Sequence, residues 1–152
     1  MRIRVVGVCR SHRRMDVVRT ALVTTFHETV NFCFNTVLET MGTSVREVVF
    51  ERLRGRGILE EDVSTRFDEV VDVLNASFGG AARVIVYKTI FELYMQYGMR
   101  VDFTYQDSLK DHMVLLRERV IMDHMVPKRV QRDYTALSFS SPMIQTPGPS
   151  PR

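Results

Sequence analysis

The chain has 152 residues, 45% of them hydrophobic, and a net charge of +3 from 21 basic and 18 acidic residues. That length suits one domain with tails, and that composition supports a real core and excludes a wholly disordered protein. The small basic excess permits an acidic partner without requiring one.

The charge is unevenly placed. Residues 1–57 carry ten Arg and five acids, residues 58–80 one Arg and six acids, and residues 81–152 ten Lys or Arg and seven acids. An acidic block with a net of −5 thus sits between basic blocks of +5 and +3. A solvated helix face is the simplest reading of such a block; contact with the basic parts, within a chain or between chains, is the other.

Residues 1–15 hold five arginines and no acid. Their apolar patch "VVGVC" is too short for a secretory h-region, and no run in the chain reaches the roughly 18 apolar residues that span a bilayer. A flexible basic arm is expected here, on a cytoplasmic protein without a membrane partner. Cys9 and Cys33 lack the spacing of a zinc site or a disulfide framework and read as reduced thiols, with Cys33 in the core.

The single helical domain is expected over residues 16–126. Its first helix spans about 16–41, with Asp16 as N-cap and Gly42 just past its end. Leu22, Phe26, Val30, Phe34, Val37, Leu38 and Met41 recur at steps of three and four and make one buried stripe. Ser44 and Glu47 have the spacing of a capping box for a short second helix, with Val45, Val49, Phe50 and Leu53 inward and an end at Gly55 or Gly57. Ser64 or Thr65 caps a third, striped by Phe67, Val70, Val71, Leu74 and Phe78.

"FGGAARVIVYKTIFELYMQYG", residues 78–98, follows. Gly79 and Gly80 make a tight corner, Ala81 and Ala82 allow close contact, and apolar residues occupy most sides of the helix. A helix apolar nearly all round is central, packed by neighbours on every side. Residues 101–105 have extended character. A last helix starts at Ser108 and stops at Pro127. Residues 127–152 are first basic, then rich in Pro and Ser, and are expected to be a disordered tail. The fold class is therefore all-α: a compact irregular bundle of about five helices around a central apolar one.

From Gly42 to Gly98 the residues resemble a family. Gly42, Ser44, Arg46, Phe50, Leu53, Gly57, Ile58, Asp62 and Val63 lead to Phe67, Glu69, Leu74, Phe78, Gly79, Ala81, Ala82 and Ile85, then to Ile90, Leu93, Tyr94 and Gly98. Their order and spacing are similar to the archaeal Nitrosopumilus output domain family, over roughly residues 20–98. The resemblance implies a small helical domain acting as a signalling output, alone or attached to sensory modules, and carries over no catalytic or ligand-binding residue. Gly80–Ala81–Ala82 departs from the charged or glycine-containing variants common there. A weaker resemblance is to Bcl-2-like helical bundles: "ARVIVYKTIF" is similar to their "GRIVAFF" core and "LRGRGILEED" to their Leu-Arg-x-x-Gly-Asp element. The two elements lie closer together here, and the chain has no Trp.

Chemistry is sparse. His112 and His124 sit on one helix about 120° apart in azimuth and about 18 Å in rise, too far to share a metal. His27 and Cys33 point to different sides of their helix. The acids Glu60, Glu61, Asp62, Asp68, Glu69 and Asp72 read as solvation rather than a catalytic pair, and "FGGAA" lacks the pattern of a phosphate loop. No catalytic, cofactor or metal residue is assigned. The candidate phosphate contacts are Arg2, Arg4, Arg10, Arg13 and Arg14 in the arm, with Lys128, Arg129 and Arg132 after the last helix. The leading expectation is a non-enzymatic regulatory module working through a protein partner or self-association. A nucleic-acid-binding regulator using the basic flanks is the alternative, and a Bcl-2-like interaction protein a minor one.

Overall fold

A computed structural model describes the backbone of residues 9–138 and the side chains of residues 13–133. Among the described residues the elements are helical: α1 Cys9–Met41, α2 Thr43–Arg54, a 3-10 turn Glu60–Asp62, α3 Phe67–Phe78, α4 Gly80–Gln96, α5 Leu109–Met122 and α6 Lys128–Ser138. α4 packs against α1, α3 and α5, and α1 also receives α2 and α5. The central position expected for the apolar helix is therefore α4's. Ala82, Ile85, Val86, Thr89, Ile90, Leu93 and Tyr94 are its buried residues. Of the two alanines, Ala82 is the one at the close approach (0% exposed), whereas Ala81 faces solvent.

The α1 stripe enters the core from Phe26 onward, with Val30, Phe34, Val37 and Leu38 buried and Leu22 and Met41 only partly so. Phe34 meets Phe50 of α2 edge to face at 5.9 Å. Cys33 is buried, and desolvation with Glu92 nearby pushes its thiol up to about 12. Such a thiol is structural and inert.

A second stripe of α1 is polar and ties the helix to the 3-10 turn. Asn31 donates to the Glu61 carbonyl at 3.1 Å and accepts the Ser64 N–H at 3.0 Å. One turn on, Asn35 accepts from Arg46 at 3.3 Å, and Arg46 also reaches Glu60 at 3.2 Å. One turn back, half-buried His27 is held below its ordinary value, first by burial and then by the Arg117 charge. The acidic block is thus partly met by bases of the same chain: Arg46–Glu60, Arg66–Glu69 and Lys110–Asp72.

His27 gives a pH prediction. Its folded value lies below the ordinary 6.5. The neutral ring is favoured in the folded state, so its contribution is complete above the unfolded value and is lost as pH falls through 6.5 toward the folded one. Stability measured by urea unfolding should decline over that window, and His27→Gln should flatten the decline. Superimposable profiles would remove His27 as the cause.

Several helix ends differ from the sequence reading. Asp16 is not an N-cap, because nothing between Cys9 and Asp16 breaks a helix and α1 already begins at Cys9. Residues 9–15 are helical rather than an arm, and residues 1–8 lie outside the described region. The Ser44–Glu47 capping box does not form. Gly42 itself is the N-cap of α2, at φ 111° and ψ 152°, a conformation essentially reserved for glycine. Neither Ser64 nor Thr65 caps α3: the N-cap is Arg66, without a side-chain cap hydrogen bond, while the Ser64 N–H donates to Asn31 and the Thr65 hydroxyl donates to the Asp62 carbonyl. Residues 101–105 form no strand, and Phe103 is buried against Tyr94 and His112. Pro127 does not stop α5, which ends at Met122 where His124 at φ 51° turns the chain; it stands instead at the start of another helix. Proline suits the start of a helix, and α6 occupies part of the expected tail, whose remainder, 139–152, lies outside the described residues.

α2 closes on Gly57. The Ile58 N–H donates to the Leu53 carbonyl at 3.0 Å and the Gly57 N–H to Arg54 at 2.9 Å, with Gly57 at φ 70°. This is a Schellman closure, and Leu53 and Ile58 supply its apolar contact, both buried. A Cβ at Gly57 would meet nothing within 4 Å. Gly57→Ala should therefore cost only the backbone penalty, about 1–2 kcal/mol, read from the urea midpoint. A larger loss would mean that the side chain collides with something.

Candidate interaction site

α5 buries Leu109, Met113, Leu116 and Val120 along one face. Its chain carries a second apolar line that this face does not use: Leu115 is 57% and Met122 78% exposed. After Met122 the helix is closed by His124 at φ 51°, with the Met125 N–H donating to the Val120 carbonyl at 3.0 Å. That turn packs Met125 against the core and leaves Met122 outside. Of the two methionines near the end of α5, Met122 faces out and Met125 faces in.

Opposite Met122 runs the N-terminal half of α1. Residues 13–20 are exposed throughout. Between the two elements lies a groove of about 1110 Å³. Met15, Val18 and Leu22 form one wall, Ile121 and Met122 the other. Arg14, Arg19, Asp16 and His124 edge it. An apolar floor with charged edges is a recognition surface rather than a reaction vessel.

A smaller recess of about 380 Å³ lies between Tyr94, Met99, Asp102 and the outer face of α5. Tyr94 and His112 approach at 3.4 Å, and the other ring nitrogen of His112 is 4.0 Å from Asp107. Burial raises the Tyr94 hydroxyl above its ordinary value, so it stays protonated at neutral pH and serves as a hydrogen-bond partner rather than a base. Among the described residues no three His, Cys, Asp or Glu side chains lie close enough to hold a metal ion. No described helix is long and apolar enough to cross a membrane.

Of the candidate phosphate contacts, Arg13, Arg14, Lys128, Arg129 and Arg132 have described side chains. Arg2 and Arg4 lie outside the described residues, as does the side chain of Arg10. Arg13 and Arg14 are exposed near the start of α1, and Lys128 and Arg132 are exposed on α6. Arg129 is not a free cation. Its Nε donates to Thr29 Oγ1 at 2.9 Å, its Nη2 reaches Glu28 at 3.4 Å, and its guanidinium lies 5.8 Å from the Phe32 ring centre. Thr29 is fifteen residues from Arg14 along α1, roughly 22 Å. Sequence reasoning missed this clamp because a basic residue after a proline carries no sign of what it will meet.

Comparison with family models, with curated proteins and with solved structures gives no match. The residues that carry the output-domain resemblance are mostly those of α2, α3 and α4 that close helices or fill the core: Leu53, Gly57, Ile58, Leu74, Gly79, Ala82, Ile85, Ile90, Leu93 and Tyr94. They lie apart from the groove, and so they speak for architecture rather than for a ligand.

Proposed function

We propose that this protein is a non-enzymatic, cytoplasmic signalling or regulatory module that acts through protein–protein contacts. The observation that carries the reading is the α1–α5 groove, where Met122 and Met15 stand 78% and 72% exposed on facing walls. Methionine-rich apolar surface is adaptable and suited to docking. The resemblance to output domains supports the signalling role. The likeness to Bcl-2-like bundles points to the same broad class, and the central α4 packed by α1, α3 and α5 favours it.

Affinity capture with the full chain and with Met122→Glu tests the reading. Bound proteins should be lost with Met122→Glu and kept with Arg132→Glu, whose side chain lies outside the groove. Captures that Met122→Glu leaves unchanged would refute the groove as the working surface.

The nucleic-acid reading rests on the exposed Arg13, Arg14, Lys128 and Arg132. Duplex DNA titrated by fluorescence anisotropy across a salt series separates the two. Phosphate contacts would give a Kd of about 10⁻⁴–10⁻⁶ M that weakens steeply with salt. No binding at low salt would leave the protein-contact reading alone.

A further inference from the structure

The N-terminal half of α1 projects from its own core. The first α1 side chain in the core is Phe26, although the helix starts at Cys9. The intervening residues would extend about 25 Å, and a helix of that length is marginal in water without packing. Met15, Val17 and Val18 are nonetheless 72%, 69% and 41% exposed.

The pattern on this segment is self-complementary. Met15, Val18 and Leu22, at steps of three and four, form the apolar line of the groove wall. Asp16 and Arg19 both fall on one side of that line, about 130° and about 70° from its centre. Neither side chain has an ion-pair partner among the described residues.

We propose that this face pairs with the same face of a second copy, the two α1 helices running antiparallel about a two-fold axis near Val18. A two-fold axis perpendicular to the helices keeps the same side of each line on the same side of the pair. Setting Met15 of each copy against Leu22 of the other brings Val18 to the axis. Arg19 then stands within two residues, about 3 Å along the axis, of Asp16 of the second copy, and this happens twice. Arg14, on the opposite side, falls between Ala21 and Thr25 of the second copy and meets no like charge. Met122 at the groove's other wall is covered by the arriving helix. The inference rests on the groove being the working surface and names a second copy as its occupant.

Sedimentation equilibrium of the full chain over micromolar concentrations tests it. The wild type should be a dimer. Asp16→Arg sets like charges together twice and should weaken the dimer about tenfold or more. Arg19→Asp should do the same. The double reversal Asp16→Arg/Arg19→Asp recreates both pairs with the signs exchanged and should restore it. Both residues are exposed, and far-UV circular dichroism checks that each variant folds. A monomeric wild type overturns the proposal, as does a dimer that single reversals leave unchanged or that the double reversal fails to restore. A monomer that still captures other proteins through Met122 sinks self-association alone. A monomer whose captures ignore Met122→Glu sinks the groove reading with it.

Discussion

Phe34→Ala is expected to cost about 3–5 kcal/mol, enough to unfold a marginal domain outright. The ring is 0% exposed and lies edge to face with Phe50 at 5.9 Å, where α1 and α2 meet. Truncation removes the transfer free energy of the ring and leaves a cavity between helices that are held elsewhere and cannot close on it. Phe32, two residues earlier on the same helix, is 45% exposed and has the Arg129 guanidinium 5.8 Å from its ring centre. Phe32→Ala should cost less than about 1 kcal/mol. The pair is a controlled comparison: same residue type, same helix, opposite sides. Urea unfolding followed by circular dichroism measures both. Equal losses would mean that the face of α1 assigned to the core is wrong.

The contrast between those two rings was legible in the sequence, because Phe34 lies on the three-and-four repeat with Phe26, Val30 and Leu38 and Phe32 does not. Long periodic segments announce themselves in this way, and α4 did so by having almost no polar side. What periodicity cannot show is a backbone group satisfied from a distance. The Ser64 N–H is claimed by Asn31, thirty-three residues away, a tertiary contact that no local rule for serine announces. The same limit hid the Asn31–Asn35 ladder, since asparagine in mid-helix is unfavourable locally and finds its reason only in the turn packed beside it. Gly42 was read as the end of α1 and is also the start of α2, because one glycine at φ 111° turns the chain fast enough to serve both.

The groove was half legible. Met122 stands off the buried line of α5, and a surplus apolar residue can be counted from sequence. Its facing wall was not, since residues 9–15 were assigned to an arm instead of to α1. Extending the helix by those residues moves Arg13 and Arg14 from a loose basic segment onto the first turns of α1. This changes the functional question from whether a charged tail finds phosphate to what packs on an apolar line flanked by charge.

Arg129 is where the two readings of the basic flank part most sharply. The expected result of Arg129→Ala is a loosened α6, by about 2 kcal/mol of local stability, or roughly thirty-fold faster amide exchange over residues 128–138. The guanidinium serves Thr29, Glu28 and the Thr25 carbonyl together, while the Arg129 N–H is held by Gln96 at 2.9 Å. Thr29 is 0% exposed, and its hydroxyl already donates to Thr25 at 2.7 Å, so loss of the arginine leaves a buried oxygen without its donor. Arg129→Lys should give an intermediate effect, because an ammonium lacks the planar fork that reaches Thr29 and Glu28 together. A phosphate contact predicts the reverse pattern. Lysine would then preserve DNA binding, alanine would lower its salt dependence by about one counterion, and exchange in α6 would not change. Hydrogen exchange and anisotropy on the same three proteins decide between them, and unchanged exchange in Arg129→Ala would return this residue to the basic flank.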